Sequence, residues 1–427
     1  MVQTIEMKPV AQPVKGVVRP PGSKSITNRA LVCAALAEGR SELHGALQSE
    51  DTEVMINSLR DLGIVIQDNQ AADSLNVIGC GGAIPAASAD LYVANSGTTV
   101  RFLTALVSLG RGDFRLDGNE RMRERPISDL TSALHRLGVS VHDEADSGCP
   151  PLVVKAAGLP GGEVSLRGDL SSQYLSALLM AAPYAQEPTT VHITGPLVSQ
   201  PYVDMTIEVM RQFGVDVQQS EGPTFEIRSG QSYLGRDFTV EPDASAASYF
   251  WAAAAITGGE VTVEGLTQES LQGDVAFCDC LAKMGCEVRY QSDRTTVAGK
   301  RLTGITVDMK DISDTVQTLA AVALFADSPT TISGVGHIRH KETDRIGNLA
   351  IELRRLGAGV EELPDGLKIE PGLRRGAQVR TYDDHRMAMS LSLVGLKTPG
   401  VIIEDPGCTR KTYPKYFAEL EDLCNSA

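Results

Sequence analysis

Pro20-Pro21-Gly22-Ser23-Lys24-Ser25-Ile26-Thr27-Asn28-Arg29 is the stretch around which this chain is organised. The two prolines and the glycine stop any strand that precedes them. Ser23 or Ser25 then caps a helix running through Ala30-Leu31-Val32-Cys33-Ala34-Ala35-Leu36. Such a helix start offers free backbone N–H groups and a positive dipole end, a seat for an anion. Lys24 adds a full charge there and Arg29 lies about one turn further in. Alone, the stretch reads equally well as a capped helix with two solvated basic residues. It is not a P-loop, because the upstream glycine of that motif is missing. Its weight comes from repetition.

Five segments read as a helix end, a glycine and a short strand: Leu59–Ile64, Leu134–Val139, Met210–Val215, Leu281–Cys286 and Leu353–Ala358. Their glycines, Gly63, Gly138, Gly214, Gly285 and Gly357, recur every 70–76 residues. That period exceeds solenoid repeats, so each unit is expected to be a small folded module with a left-handed glycine stopping its helix. A second, interleaved series has six members, each an Ala/Ser/Leu-rich helix followed by a turn and, in most, a β-rich stretch. They begin near Ser25, Asn95, Ser171, Ser245, Asp314 and Asp384. The helix bodies, such as Ala252-Ala253-Ala254-Ala255-Ile256, are apolar all round and predict burial. Their starts are polar, so six N-termini facing common ground would form an anion-seeking cleft.

At 427 residues the chain has room for about three domains or two large ones. Its 42% hydrophobic content supplies ample core. No apolar run reaches the ~18–20 residues that span a bilayer, and the N-terminus has no signal-peptide pattern. Eight scattered cysteines point to a reduced, cytoplasmic protein; Cys278, Cys280 and Cys286 cluster in a helix-like run without zinc spacing and read as packing residues. A net charge of −15 argues against a nucleic-acid or anionic-membrane surface. An anionic ligand must therefore meet a local concentration of Arg and Lys.

Several segments carry that chemistry. Asn95-Ser96-Gly97-Thr98 places a glycine where backbone can approach a ligand. Arg125 precedes Pro126, which extends its backbone and allows it to be aimed. Ser171-Ser172-Gln173 and Ser199-Gln200-Pro201-Tyr202 offer hydroxyls and an amide at helix starts or turns. Lys341-Glu342-Thr343-Asp344-Arg345 is the densest charged stretch; on a helix Glu342 and Arg345 would share a face, and a surface salt-bridge ladder is its plainer reading. His337-Ile338-Arg339-His340 sits among cations that disfavour a metal, and Asp384-His385 is not a triad, there being no nucleophile elbow.

In this order, from about Val14 to Phe417, the motifs resemble the 5-enolpyruvylshikimate-3-phosphate synthases, the enolpyruvyl transferases of the shikimate pathway. The resemblance implies an α/β fold: a two-globule inside-out α/β barrel, each globule of three βαβαββ modules, with the active site in the interdomain cleft. Residues 1–21 and 239–427 would form one globule and 22–238 the other. The implied substrates are shikimate 3-phosphate and phosphoenolpyruvate, in a cytoplasmic monomer with neither cofactor nor metal, open to competition by glyphosate. Lys24, Ser25, Arg29, Ser171, Ser172, Gln173, Ser199, Tyr202, Asp314, His337 and Lys341 fall on shikimate-phosphate positions. Lys24, Asn95, Gly97, Arg125, Gln173, Arg345, Arg386 and Lys411 fall on phosphoenolpyruvate positions. The implied catalytic set is Asp314, Glu342, Lys24, Lys411 and His385, with Asp314 taking the proton of the attacking 5-hydroxyl and Glu342 protonating C3. The family often has Asn where this chain has His337.

Three rivals remain. A UDP-N-acetylglucosamine enolpyruvyl transferase would carry a cysteine in the loop at Arg111–Arg125, yet none occurs between Cys80 and Cys149. A non-catalytic phosphometabolite-binding protein would have no use for both Asp314 and Glu342. An RNA 3′-phosphate cyclase would need a nucleophilic His, and the acidic balance disfavours it.

Overall fold

The structure, a computed structural model, describes residues 3–425 apart from 70, 71, 221 and 373; the outermost residues of the expected 1–21 and 239–427 segments lie outside that range. The chain divides into two compact units, Gly22–Val240 and Met1–Pro21 with Glu241–Ala427. The second division falls after Val240 rather than Phe238. The strand Asp237–Thr239 pairs in parallel with Arg40–His44, and Val240 N–H then donates to the His44 carbonyl, so these residues belong with Gly22–Val240.

The Gly22–Val240 unit contains helices α1 (Lys24–Leu36), α2 (Glu50–Asp61), α3 (Gly97–Val107), α4 (Ser128–Arg136), α5 (Ser172–Ala181) and α6 (Gln200–Gln212). Three four-stranded sheets accompany them. In each, a strand pairs in parallel with the strand that follows α1, α3 or α5, and an antiparallel hairpin after α2, α4 or α6 completes the sheet. The other unit continues the pattern with α7 (Ala244–Thr257), α8 (Phe277–Lys283), α9 (Val316–Ala323), α10 (Gly347–Arg355), α11 (His385–Ser392) and α12 (Tyr416–Asn425). Its first sheet borrows Lys15–Val18 as the parallel neighbour of Glu260–Glu264. Its last sheet departs from the βαβαββ expectation. Gln378–Val379 and Val401–Glu404 are joined not by a local hairpin but by Thr4–Met7 from the N-terminus, and α12 follows instead.

The odd-numbered helices up to α11 are the six-member series. α3, α7, α9 and α11 have no residue outside the buried class, and α1 has only its first two. All 14 residues of α7 are buried, including Trp251, Phe250 and Tyr249. Full burial of each such side chain removes apolar surface worth roughly 1.5–3 kcal/mol. The sheets alternate buried and exposed positions, as in Leu152–Ala157, so one face packs inward on the helices and the other faces solvent. Each unit is thus inside-out for an α/β protein: helices in the core, sheets around it.

The five repeat glycines end α2, α4, α6, α8 and α10 with φ between 88° and 109°, where a side chain is strained. Cys278, Cys280 and Cys286 are free and buried in this packing, and burial pushes their thiols up from the usual range. Among the described residues no helix is long and apolar enough to cross a membrane.

Candidate active site

Polar helix starts carry the candidate residues in both units. In Gly22–Val240, Ser23 caps α1 by accepting from Ile26 N–H, Ser96 caps α3 through Thr99, and Ser171 caps α5 through Gln173. These caps leave other first-turn N–H groups unbonded within the helix. Lys24 Nζ lies 4.0 Å from the buried carboxylate of Asp51. Arg125, extended before Pro126 as its sequence context predicts, donates from Nη1 to the carbonyl of Asn95 (2.9 Å) and its Oδ1 (3.1 Å). A Cβ on Gly97 would collide with that guanidinium, coming 2.7 Å from Arg125 Cζ, so the glycine makes room for the arginine. Gln173 donates to Thr98 Oγ1 (3.1 Å) and accepts from Arg101 (2.5 Å), joining the α5 and α3 starts. Ser172 and Ser199 are buried, and Ser199 stands in the left-handed region ahead of α6.

Arg29 is buried and donates to Thr206 Oγ1, the Ser25 carbonyl, Ser176 Oγ and the Tyr202 carbonyl. It ties α1 to α5 and α6. Burial lowers its pKa to about 10, so it stays charged at neutral pH.

The other unit holds the acid–base residues. Asp314 precedes α9 and receives Lys341 Nζ at 2.5 Å, Arg386 Nη2 at 2.7 Å and Arg345 Nη1 at 3.3 Å. The stretch from Lys341 to Arg345 is not helical; α10 starts only at Gly347, where Asp344 accepts from Ile346 and Gly347 N–H. Nor is it a surface ladder. The bend turns Glu342 and Arg345 inward, Arg345 to 1% exposure, and sets Arg345 Nη2 2.8 Å from Glu342 Oε2. Lys411 Nζ lies 3.7 Å from the other oxygen of Glu342. Burial opposes the charge on Arg345, but Asp384 and Glu342 outweigh it and hold the guanidinium above its usual pKa.

His337 is buried on a 3-10 turn, and its Nε2 has no hydrogen-bond partner within the chain. Desolvation, then the Lys341 charge, push its pKa down to about 3, leaving a neutral ring. His385 is fully buried with Nδ1 3.8 Å from Asp384.

Three groups had no site role assigned from the sequence. Asp384 forms a two-point fork with Arg345, and Arg101 braces Gln173. Asp274 lies buried against Ser245 Oγ; burial, then the charge of Asp314, push its carboxyl up. Only Asp384 had a signal, in its place beside His385 and Arg386 at a helix start. Among the described residues, one set suited to a metal, Glu42, His44 and Asp237, brings its ligand atoms within 4.8 Å of one another. Glu42 is already engaged there by Arg40 and Ser74.

Modular inside-out units with clustered arginine, lysine and carboxylate side chains define a class of two-unit α/β protein. The profile of EPSP synthase (3-phosphoshikimate 1-carboxyvinyltransferase) matches residues 9–420. The 3-phosphoshikimate 1-carboxyvinyltransferase of Nostoc punctiforme is 53% identical over 420 residues, covering 98% of this chain and 99% of its own. That of Shewanella denitrificans is 46% identical over 429 residues, covering 100% of both. Among solved structures, an EPSP synthase from Acinetobacter baumannii superposes with a TM-score of 0.81 at 27% identity, covering 100% of this chain and 98% of that one. The chain belongs to the EPSP synthase family.

Proposed function

We propose that this protein transfers the enolpyruvyl group of phosphoenolpyruvate to the 5-hydroxyl of shikimate 3-phosphate, releasing phosphate. The observation that carries the reading is the arrangement around Arg345. One buried guanidinium touches both candidate carboxyls, Asp314 at 3.3 Å and Glu342 at 2.8 Å. If Arg345 and Arg386 grip the phosphoenolpyruvate carboxylate, the base and the acid stand on two edges of the same anchor.

The chemistry then runs in two halves. Asp314 takes the 5-hydroxyl proton as that oxygen attacks C2, and Glu342 gives a proton to C3, producing a tetrahedral ketal. In the second half a C3 proton returns to Glu342 while the bond from C2 to the phosphate oxygen breaks, and the proton held by Asp314 leaves with the phosphate, directly or through water, restoring both carboxyls. Lys24, Lys411 and Arg125 carry the charge of the departing phosphate, with Asn95 and Gly97 shaping that side. Lys341, Ser25, Ser171, Ser172, Gln173, Ser199, Tyr202 and His337 hold shikimate 3-phosphate. Arg29 contributes chiefly by holding the α1 start against α5 and α6, since most of its donors face protein oxygens. His385 backs Asp384. Positioning and fixed charge supply the rate enhancement.

Phosphate release from phosphoenolpyruvate is expected only in the presence of shikimate 3-phosphate. Equal turnover with UDP-N-acetylglucosamine would overturn this reading.

A further inference from the structure

Asp384 has no exposed surface, yet it organises both arginines assigned above to the phosphoenolpyruvate carboxylate. Its carboxylate receives Arg345 Nε at 2.7 Å and Nη2 at 3.1 Å, a two-point fork that fixes the guanidinium plane. The same carboxylate caps α11 by accepting from the backbone N–H of Arg386 at 2.9 Å. One side chain therefore sets the direction of one arginine and the root of the other.

The turn that delivers Asp384 is itself held under strain. Tyr382 and Asp383 both adopt left-handed backbone, with φ of 56° and 55°, although neither is glycine. Two observations explain how the turn persists. Asp384 N–H closes it onto the Thr381 carbonyl at 2.9 Å. Glu352, buried in α10, accepts from Tyr382 OH at 2.7 Å and from Arg380 N–H at 3.2 Å. Arg345 stands just before α10 and Glu352 within it, so both ends of this segment are tied to the same turn.

We propose that Asp384 is a positioning residue for phosphoenolpyruvate binding, and that Glu352 and Tyr382 clamp the strained turn that presents it. The inference rests on the function proposed above. A merely structural Asp384 would satisfy a buried cation and cap a helix. Losing it would then lower stability without distinguishing between the two substrates.

The test is steady-state kinetics with both substrates varied, on Asp384→Asn and Tyr382→Phe. Asn keeps the shape and the capping ability but gives up the charged fork. Asp384→Asn is expected to raise KM for phosphoenolpyruvate about tenfold or more, with KM for shikimate 3-phosphate within about twofold of the parent. Tyr382→Phe should move KM for phosphoenolpyruvate in the same direction by a smaller factor, with KM for shikimate 3-phosphate again within about twofold of the parent. Added to Arg345→Lys, Asp384→Asn should cost little more, since it acts through that arginine. Equal rises in both KM values, or a KM for phosphoenolpyruvate unchanged in both variants, would overturn the proposal. Should Asp384→Asn fail to fold, an unchanged KM for phosphoenolpyruvate in Tyr382→Phe would overturn it alone. A parent enzyme inactive on the substrate pair would instead overturn the function.

Discussion

Glu342 sits between two cations, with Arg345 at 2.8 Å and Lys411 at 3.7 Å from its oxygens. Replacing it with Gln preserves the shape but removes the transferable proton. Turnover should fall by about 10²–10⁴-fold with KM for both substrates little changed; a near-normal rate would refute the role. His337 permits a test by pH. Its folded pKa of about 3 lies below the ordinary 6.5, so in that interval the unfolded chain binds a proton that the folded one does not. The neutral ring's contribution is complete above about pH 6.5 and is lost as pH falls toward 3. Urea midpoints at pH 7 and pH 4.5 should show His337→Asn gaining on the parent in acid; an identical difference at both would discount the effect. At this scale the sequence revealed residue types with a direct job, such as Arg125 aimed by Pro126. It hid the roles of Asp384 and Arg101, which act on other side chains 39 and 72 residues away. Only the fold brings such pairs together.

Helix ends were the most readable elements, because a left-handed stop has a strong residue preference and occurs here five times. The helical reading of Lys341–Arg345 failed for a local reason. Asp344 satisfies the first N–H groups of α10, so the helix cannot begin before it. The glycine stops also differ in what surrounds them. A Cβ at Gly214 would meet nothing closer than Leu234 at 3.6 Å, whereas at Gly285 it would lie 2.7 Å from the Arg301 carbonyl. Gly214→Ala should therefore cost about 1–2 kcal/mol, the left-handed penalty alone. Gly285→Ala should cost more, because backbone must shift as well. Chemical denaturation of the two variants decides it, and equal losses would reject the steric term.

Over the whole molecule, the six-fold modular plan was visible in the periodicity, and the two-unit division followed from the family resemblance. The exception was the last module, whose hairpin is replaced by a strand some 400 residues away in sequence, Thr4 pairing with Glu404. No local pattern announces a partner that distant. Removing residues 1–8 should raise hydrogen exchange at Val401–Glu404 and leave Gly22–Val240 as protected as before. Equal loss of protection in both units would contradict the division.

That borrowed strand has a consequence for biosynthesis. Gly22–Val240 is continuous and complete once its last residue has emerged. The N-terminal strands are made first but finish last. At about 5–20 residues per second, Lys15 waits about 12–50 s for Glu260 to be synthesised, and Thr4 about 20–80 s for Glu404. Once Val240 has been made, the opening residues of the chain are tethered to a finished unit, and Thr4 still awaits Glu404. The order of folding therefore departs from the order of synthesis: the middle of the chain folds first, and its beginning closes the structure.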